Sequence, residues 1–304
     1  MKCTICPRAC SVDRNNGKIG YCGESAAIRV ARTSLHKWEE PCITGEYGSG
    51  TVFFSGCNLK CIFCQNHNIA DSSVGQAFSV EELAEAFLRL QEKKAANINL
   101  VTAGHFAEQI IPAIHLAKER GLIIPIVYNS SGYETVETLR KLEGLIDIYL
   151  PDLKFYRTEI SREYANAPDY FEVASRAIDE MVRQVKGAVF EEKKEATASV
   201  TQTGNMVKGV IVRHLVLPGH TKDSMEILKY LHETYGNQIY ISIMNQFTPV
   251  IRQDIHTNLN RCVTKREYEK VLNYAIEIGI ENAFVQDGET AKESFIPEFD
   301  CSFL

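Results

Sequence analysis

Residues Ser55 to Asn66 read SGCNLKCIFCQN and place three cysteines, Cys57, Cys61 and Cys64, in a C-x3-C-x2-C run at the end of an apolar stretch, Thr51 to Gly56. Three thiolates at this spacing hold three irons of a four-iron cubane and leave the fourth iron open, whereas usual iron–sulfur sites use four cysteines. An open iron can bind a cofactor or a substrate. The competing readings are a zinc site and a cluster of free thiols. Structural zinc sites pair two CxxC or CxxH units across a longer loop, and a lone C-x3-C-x2-C lacks that pairing.

Composition narrows the remaining classes. The chain has 304 residues, enough for a sizeable core in one barrel-sized domain or two smaller ones, and one main domain is favoured. A net charge of −6 leaves no electrostatic footprint for nucleic acid, and no Lys/Arg cluster suggests a membrane surface. No apolar run reaches eighteen residues and the start, MKCTICPRAC, lacks a signal-peptide core, so a cytoplasmic protein is expected. Eight of the ten cysteines crowd into the first 64 residues. Cytosolic thiols stay reduced, which makes metal ligation a better account of them than a disulfide framework. Cys262 and Cys301 stand apart as isolated thiols.

Apolar runs of strand type alternate with helical patterns along the chain. TVFFS (Thr51 to Ser55) is followed by a helix from about Ser79 to Lys93, where Ser79 and Glu82 form a capping box. The series continues with NINLVT (Asn97 to Thr102), a helix near 108–120, PIVYN (Pro125 to Asn129), a helix near 134–142 and IDIYL (Ile146 to Leu150). A helix near 168–185, GVIVRHLVL (Gly209 to Leu217), a helix near 223–235, QIYISIM (Gln238 to Met244) and a helix near 264–278 complete it. Continuous apolar strands in six strand–helix repeats predict a parallel sheet of the α/β class. A doubly wound open sheet and a (β/α) barrel both fit. Two stretches lie outside the repeat: residues 1–50, which look like an appended Cys-rich module before a 51–304 barrel, and residues 187–208, which read as an exposed loop.

The cysteine spacing, with the aromatic Phe63 just before Cys64, resembles the signature of the radical S-adenosylmethionine (SAM) superfamily. The resemblance implies a partial (β/α)6 TIM-type barrel with a 4Fe-4S cluster in the loop after the first strand. It also implies that the open iron chelates SAM and that one electron, from a flavodoxin- or ferredoxin-type donor, cleaves it to a 5'-deoxyadenosyl radical. Catalytic ligands would be Cys57, Cys61 and Cys64, with Phe63 beside the cofactor. A non-catalytic iron–sulfur or zinc protein is the alternative of another class, disfavoured because a plain carrier needs no six-unit barrel. An RNA-modifying enzyme is disfavoured by the acidic charge.

Chemistry in such barrels sits at the carboxyl ends of the strands. After the second strand, Thr102-Ala103-Gly104-His105 occupies the place of the superfamily's Gly-Gly-Glu run, which is absent here. After the third, Asn129-Ser130-Ser131-Gly132 resembles a SAM-packing run, against the reading of an ordinary turn. After the fourth, Asp152 and Lys154 lie two residues apart, hence on one face of an extended segment, and suit the zwitterionic methionyl group of SAM; a solvated ion pair is the competing view. Arg213, flanked by Val212, Leu215 and Val216, is costly to bury unless a carboxylate from SAM or Asp152 lies near it. Met244 to Pro249 offers neutral amides to a purine or ribose.

The stretches LHKWEEPCITG, GSGTVFFSGCNLKCIFCQN, IPIVYNSSGYE, DIYLPDLKFY and VRHLVLPG, in this order, resemble the PflX branch of pyruvate formate-lyase-activating-enzyme-like radical SAM proteins. That resemblance implies a glycyl-radical enzyme as a candidate partner, with direct chemistry on a small molecule or peptide as the alternative. Cys3, Cys6, Cys10 and Cys22 give four thiolates within twenty residues, enough for a zinc ion or a second cluster. In Leu35 to Gly45, Glu39 and Glu40 offer carboxylates to a substrate amine, while packing of the module onto the barrel is the favoured role of Trp38. His67 and His105 read as hydrogen-bonded bystanders rather than ligands.

Overall fold

The apolar runs become strands of one sheet because their residues are buried on both faces: Val52, Phe54, Leu100, Ile126, Ile148 and Val212 are fully buried. The computed structural model describes residues 2–191, 204–286 and 299–304. In chain order the elements are β1 (Ile28–His36), α1 (Pro41–Thr44), β2 (Ser49–Phe54), α2 (His67–Ala70), β3 (Gln76–Phe78), α3 (Val80–Glu92), β4 (Ile98–Val101) and α4 (Ala107–Glu119). They continue with β5 (Ile126–Ser130), α5 (Val136–Lys141), β6 (Ile148–Pro151), α6 (Thr158–Ala165), α7 (Tyr170–Val185), β7 (Val189–Phe190), β8 (Met206–Leu215), α8 (Thr221–Tyr235), β9 (Tyr240–Met244), α9 (Lys265–Glu277) and β10 (Ala283–Val285).

The strand order is β10-β9-β8-β6-β5-β4-β2-β1-β3. Pairing is parallel from β2 through to β10, and β1 runs antiparallel to both β2 and β3. The parallel strands β2, β4, β5, β6, β8, β9 and β10 follow one another in chain order with no reversal, so the doubly wound alternative falls away, and the two free ends among the described strands make the sheet an open, partial barrel. The expected capping box forms: Ser79 Oγ accepts from the Glu82 amide at 3.1 Å, and the Ser79 amide donates to Glu82 Oε2 at 2.7 Å. Among the described residues no helix is long and apolar enough to cross a membrane.

Residues 1–50 divide into two parts. Residues 2–27 are largely irregular, with one 3-10 turn at Arg14–Asn16. Residues 28–50 belong to the barrel sheet through β1, and the residue-50 boundary falls inside β2. The turn between β1 and β2 carries α1, whose Cys42 and Ile43 pack with Val127, Ile148, Leu150 and Ile211 on neighbouring strands. This helix plugs the barrel at the end from which the parallel strands start. The loop expected over 187–208 begins and ends as a narrow ribbon, β7 against the start of β8; its residues 192–203 lie outside the described residues.

Candidate functional site

The cysteine run forms the loop after β2, and its shape depends on Gly56. That residue has φ +82°, and a Cβ there would come within 2.7 Å of the Cys22 carbonyl oxygen and 2.6 Å of Glu24 Cγ. The Cys57 amide donates to the Cys22 carbonyl at 3.0 Å. Arg8 Nε donates to the Asn58 carbonyl at 2.8 Å and Arg8 Nη2 to the Ala165 carbonyl at 2.8 Å, while the guanidinium lies 4.1 Å from the Tyr21 ring centroid. Arg14, buried, donates to the carbonyls of Glu24 and His105. The N-terminal segment is therefore bonded directly to the cysteine loop.

The three thiols of that loop are free. The Leu59 amide donates to Cys57 Sγ at 3.4 Å. Burial pushes the Cys61 thiol up and the Cys64 thiol up to about 12, while the Lys154 ammonium opposes the rise at both. Three reduced thiols on one loop beside a cation are a donor set suited to an iron–sulfur cluster. Among the described residues no three of His, Cys, Asp or Glu are gathered so as to hold a single metal ion. Phe63 is buried, with ring centroids of Phe247, Phe155 and Tyr164 at 5.9, 6.1 and 6.1 Å.

At the ends of β5, β6 and β8 the sequence-singled residues converge. Arg213 Nε donates to Asp152 Oδ1 at 2.9 Å, and Arg213 Nη2 to Asn129 Oδ1 at 2.6 Å. Lys154 Nζ pairs with the second carboxylate oxygen of Asp152. Burial alone would raise the Asp152 carboxyl, but the charges of Arg213 and Lys154 outweigh it and hold the group below the usual carboxylate range. The Asp152 charge likewise lifts Lys154 against the opposing effect of burial. Tyr170 ties this corner together: its hydroxyl accepts from the Lys154 amide at 2.9 Å and lies 2.8 Å from the Ser131 carbonyl. The sheltered carboxylate inferred for Arg213 is thus Asp152. A second one, Glu39, lies 3.5 Å from Arg213 Nη1; nothing local in the sequence signals that contact.

A cavity of about 340 Å3 opens inside the barrel. Asn129, Arg213, Ser242, Met244 and Gln246 line it from the strands and their ends, Gln65 and Asn66 from the cysteine loop, and Trp38, Glu39 and Glu40 from the turn before α1. Phe53 of β2 and Phe284 and Val285 of β10 face it from the two sides of the open sheet. Trp38 is 62% exposed at this cavity, which corrects the expectation that it packs the N-terminal segment onto the barrel. His105 is the bystander expected: buried, 2.7 Å from the Ser55 carbonyl and pushed down to about 3 by burial. His67 is exposed at the start of α2.

Of the four N-terminal cysteines, Cys10 and Cys22 approach Gly20, where a Cβ would lie 3.3 Å from Cys10 Sγ and 3.5 Å from Cys22 Sγ. Cys3 hydrogen-bonds Cys10, and Arg14 Nη1 stands 4.0 Å from Cys3 Sγ. Burial drives the Cys6 thiol up to about 12, with Cys22 and Cys3 close enough to add to the shift.

Comparison with known proteins bears on this geometry. The chain is 26% identical over 281 residues to an uncharacterised protein of Methanocaldococcus jannaschii, covering 90% of this chain and 74% of that protein. It is 24% identical over 181 residues to the pyruvate formate-lyase-activating enzyme of Clostridium pasteurianum, covering 56% of this chain and 74% of that enzyme. Among solved structures, HydG, a maturase of the FeFe-hydrogenase, superposes with a TM-score of 0.51 at 15% identity over 75% of this chain. The chain spans about half of that structure's length, 49%, and the likeness is one of fold. The profile of the Radical SAM superfamily matches residues 51–231, more than half of the chain and inclusive of the cysteine loop and Arg213, and the chain belongs to that superfamily.

Proposed function

We propose that Cys57, Cys61 and Cys64 hold a 4Fe-4S cluster at which this radical SAM enzyme cleaves SAM, and that Asn129, Asp152 and Lys154 seat the cofactor with Phe63 behind it. The observation that carries the reading is the placement of three free thiols on the loop after β2, a loop whose Gln65 and Asn66 line the barrel cavity opposite Arg213, the ion-pair partner of Asp152 and through it of Lys154. A cluster held by these thiolates would supply the single electron for reductive cleavage of SAM to methionine and a 5'-deoxyadenosyl radical. The chain's own residues supply position and charge. Asp152 and Lys154 present opposite charges to the methionyl zwitterion, and Arg213 holds Asp152 and Asn129 in register for it. A flavodoxin- or ferredoxin-type protein is the proposed electron source, and the cytoplasm the proposed compartment.

Activation of a glycyl-radical enzyme is the proposed use of the radical, supported by the match to the Clostridium pasteurianum activating enzyme and by the lateral opening of the sheet, which suits a peptide loop. The cavity behind Glu39 and Glu40 favours a second reading, direct hydrogen abstraction from a small molecule or peptide. Mixing reduced, SAM-loaded protein with glycyl-radical enzymes of the same genome separates the two. The activase reading expects a glycyl doublet by EPR, and SAM cleavage without that signal across all candidates removes it. Cys3, Cys6, Cys10 and Cys22 are the proposed second metal site, supported by the approach of the Cys10 and Cys22 thiols at Gly20.

Replacing Cys57, Cys61 and Cys64 by Ala should abolish 5'-deoxyadenosine formation and remove about four irons per chain. A triple variant that still cleaves SAM under dithionite overturns the assignment. Arg213→Lys keeps the charge and loses the planar fork, so SAM binding should weaken about tenfold, or about 1.4 kcal/mol, at unchanged iron content; unaltered SAM affinity would restrict Arg213 to packing. Changing the four N-terminal cysteines to Ser should remove one zinc or one cluster's worth of iron by elemental analysis, and unchanged metal content would show that they form no site.

A further inference from the structure

Glu40 is 7% exposed, and its Oε2 has no hydrogen-bond partner among the described residues. A buried carboxylate oxygen without a partner is a standing cost to the fold. Local structure does not account for it. Glu40 occupies the N-cap position of α1, yet its side chain makes no capping bond. Ser242 hydrogen-bonds the side chain, and Arg213 is close enough to act on its charge, but the guanidinium is already engaged with Asp152, Glu39 and Asn129. Lys154 is taken by Asp152. Lys37, at the edge of the cavity, is exposed and makes no ion pair with either glutamate. Three acidic side chains, Glu39, Glu40 and Asp152, therefore share two engaged cations, and among the described residues Glu40 is the one without an ion-pair partner within 4.0 Å. Burial raises the carboxyls of both Glu39 and Glu40, as expected of acids short of positive charge.

The same cavity holds an exposed indole, Trp38, and the rings of Phe53 and Phe284. Aromatic walls leading to a buried carboxylate suit an aliphatic stem that ends in a cation. We propose that Glu40, supported by Glu39 and Trp38, receives the primary ammonium or guanidinium group of the substrate and so fixes which carbon faces the cysteine loop. This rests on the barrel cavity being the substrate chamber of the radical SAM reaction proposed above.

The test is a binding experiment on cluster-loaded protein with SAM, read by fluorescence of Trp38, the sole tryptophan. Cadaverine and agmatine are the cationic probes; 1,5-pentanediol and glutarate are neutral and anionic probes of the same length as cadaverine. The cations should give saturable changes at millimolar concentration or below, with the diol and diacid weaker by about tenfold or more, and Glu40→Gln should weaken cadaverine by at least about tenfold while leaving the diol unaffected. The proposal is overturned if the wild-type protein binds the diol as tightly as the diamine, if neither cation binds, or if Glu40→Gln binds cadaverine like the parent. Should that variant fail to fold, the wild-type selectivity alone decides. The radical SAM reading is scored separately by 5'-deoxyadenosine release from the parent protein without probe, so the two readings can fail independently.

Discussion

The buried ion pair between Arg213 and Asp152 is the constraint on which the rest of the site depends. Removing both charges from water costs several kcal/mol, and their attraction offsets that cost only where good geometry and further hydrogen bonds satisfy the remaining groups. Here those further bonds come from Asn129 and Lys154, and from Glu39 at longer range. The pair also spans β6 and β8, which are not consecutive in the chain, and joins their ends through an isolated parallel bridge with the Leu153 amide bonded to the Arg213 carbonyl. One interaction thus joins β6 to β8 where the chain leaves the sheet for α6 and α7, and orders groups beside the cavity.

Much of the architecture was legible because β2, β4, β5 and β6 are buried along their whole length and read as continuous apolar runs. The six strand–helix repeats follow from that, and the Ser79–Glu82 cap from its three-residue spacing. β1 was hidden for the opposite reason. Its residues alternate between buried and half-buried, and the surrounding cysteines suggested an irregular module. β10 has three residues, too few for a periodic signal, and α6 is a short helix with few apolar residues.

The site was legible where chemistry is local. Asp152 and Lys154 are two residues apart, and the need of Arg213 for a carboxylate follows from its apolar neighbours. Contacts that join distant segments left no such trace. Arg213 and Glu39 are 174 positions apart, and no spacing rule connects them. Trp38 was expected to pack the N-terminal segment onto the barrel, whereas it lines the cavity and is largely exposed.

Cys22 takes part in both cysteine sets. Its thiol stands with Cys10 at Gly20, and its carbonyl accepts the amide of Cys57, 35 residues further on. A peptide plane is stiff. The amide of the first cysteine in the loop thus hangs from a carbonyl of the N-terminal segment, so a substitution that shifts the backbone at Cys22 would shift Cys57 with it.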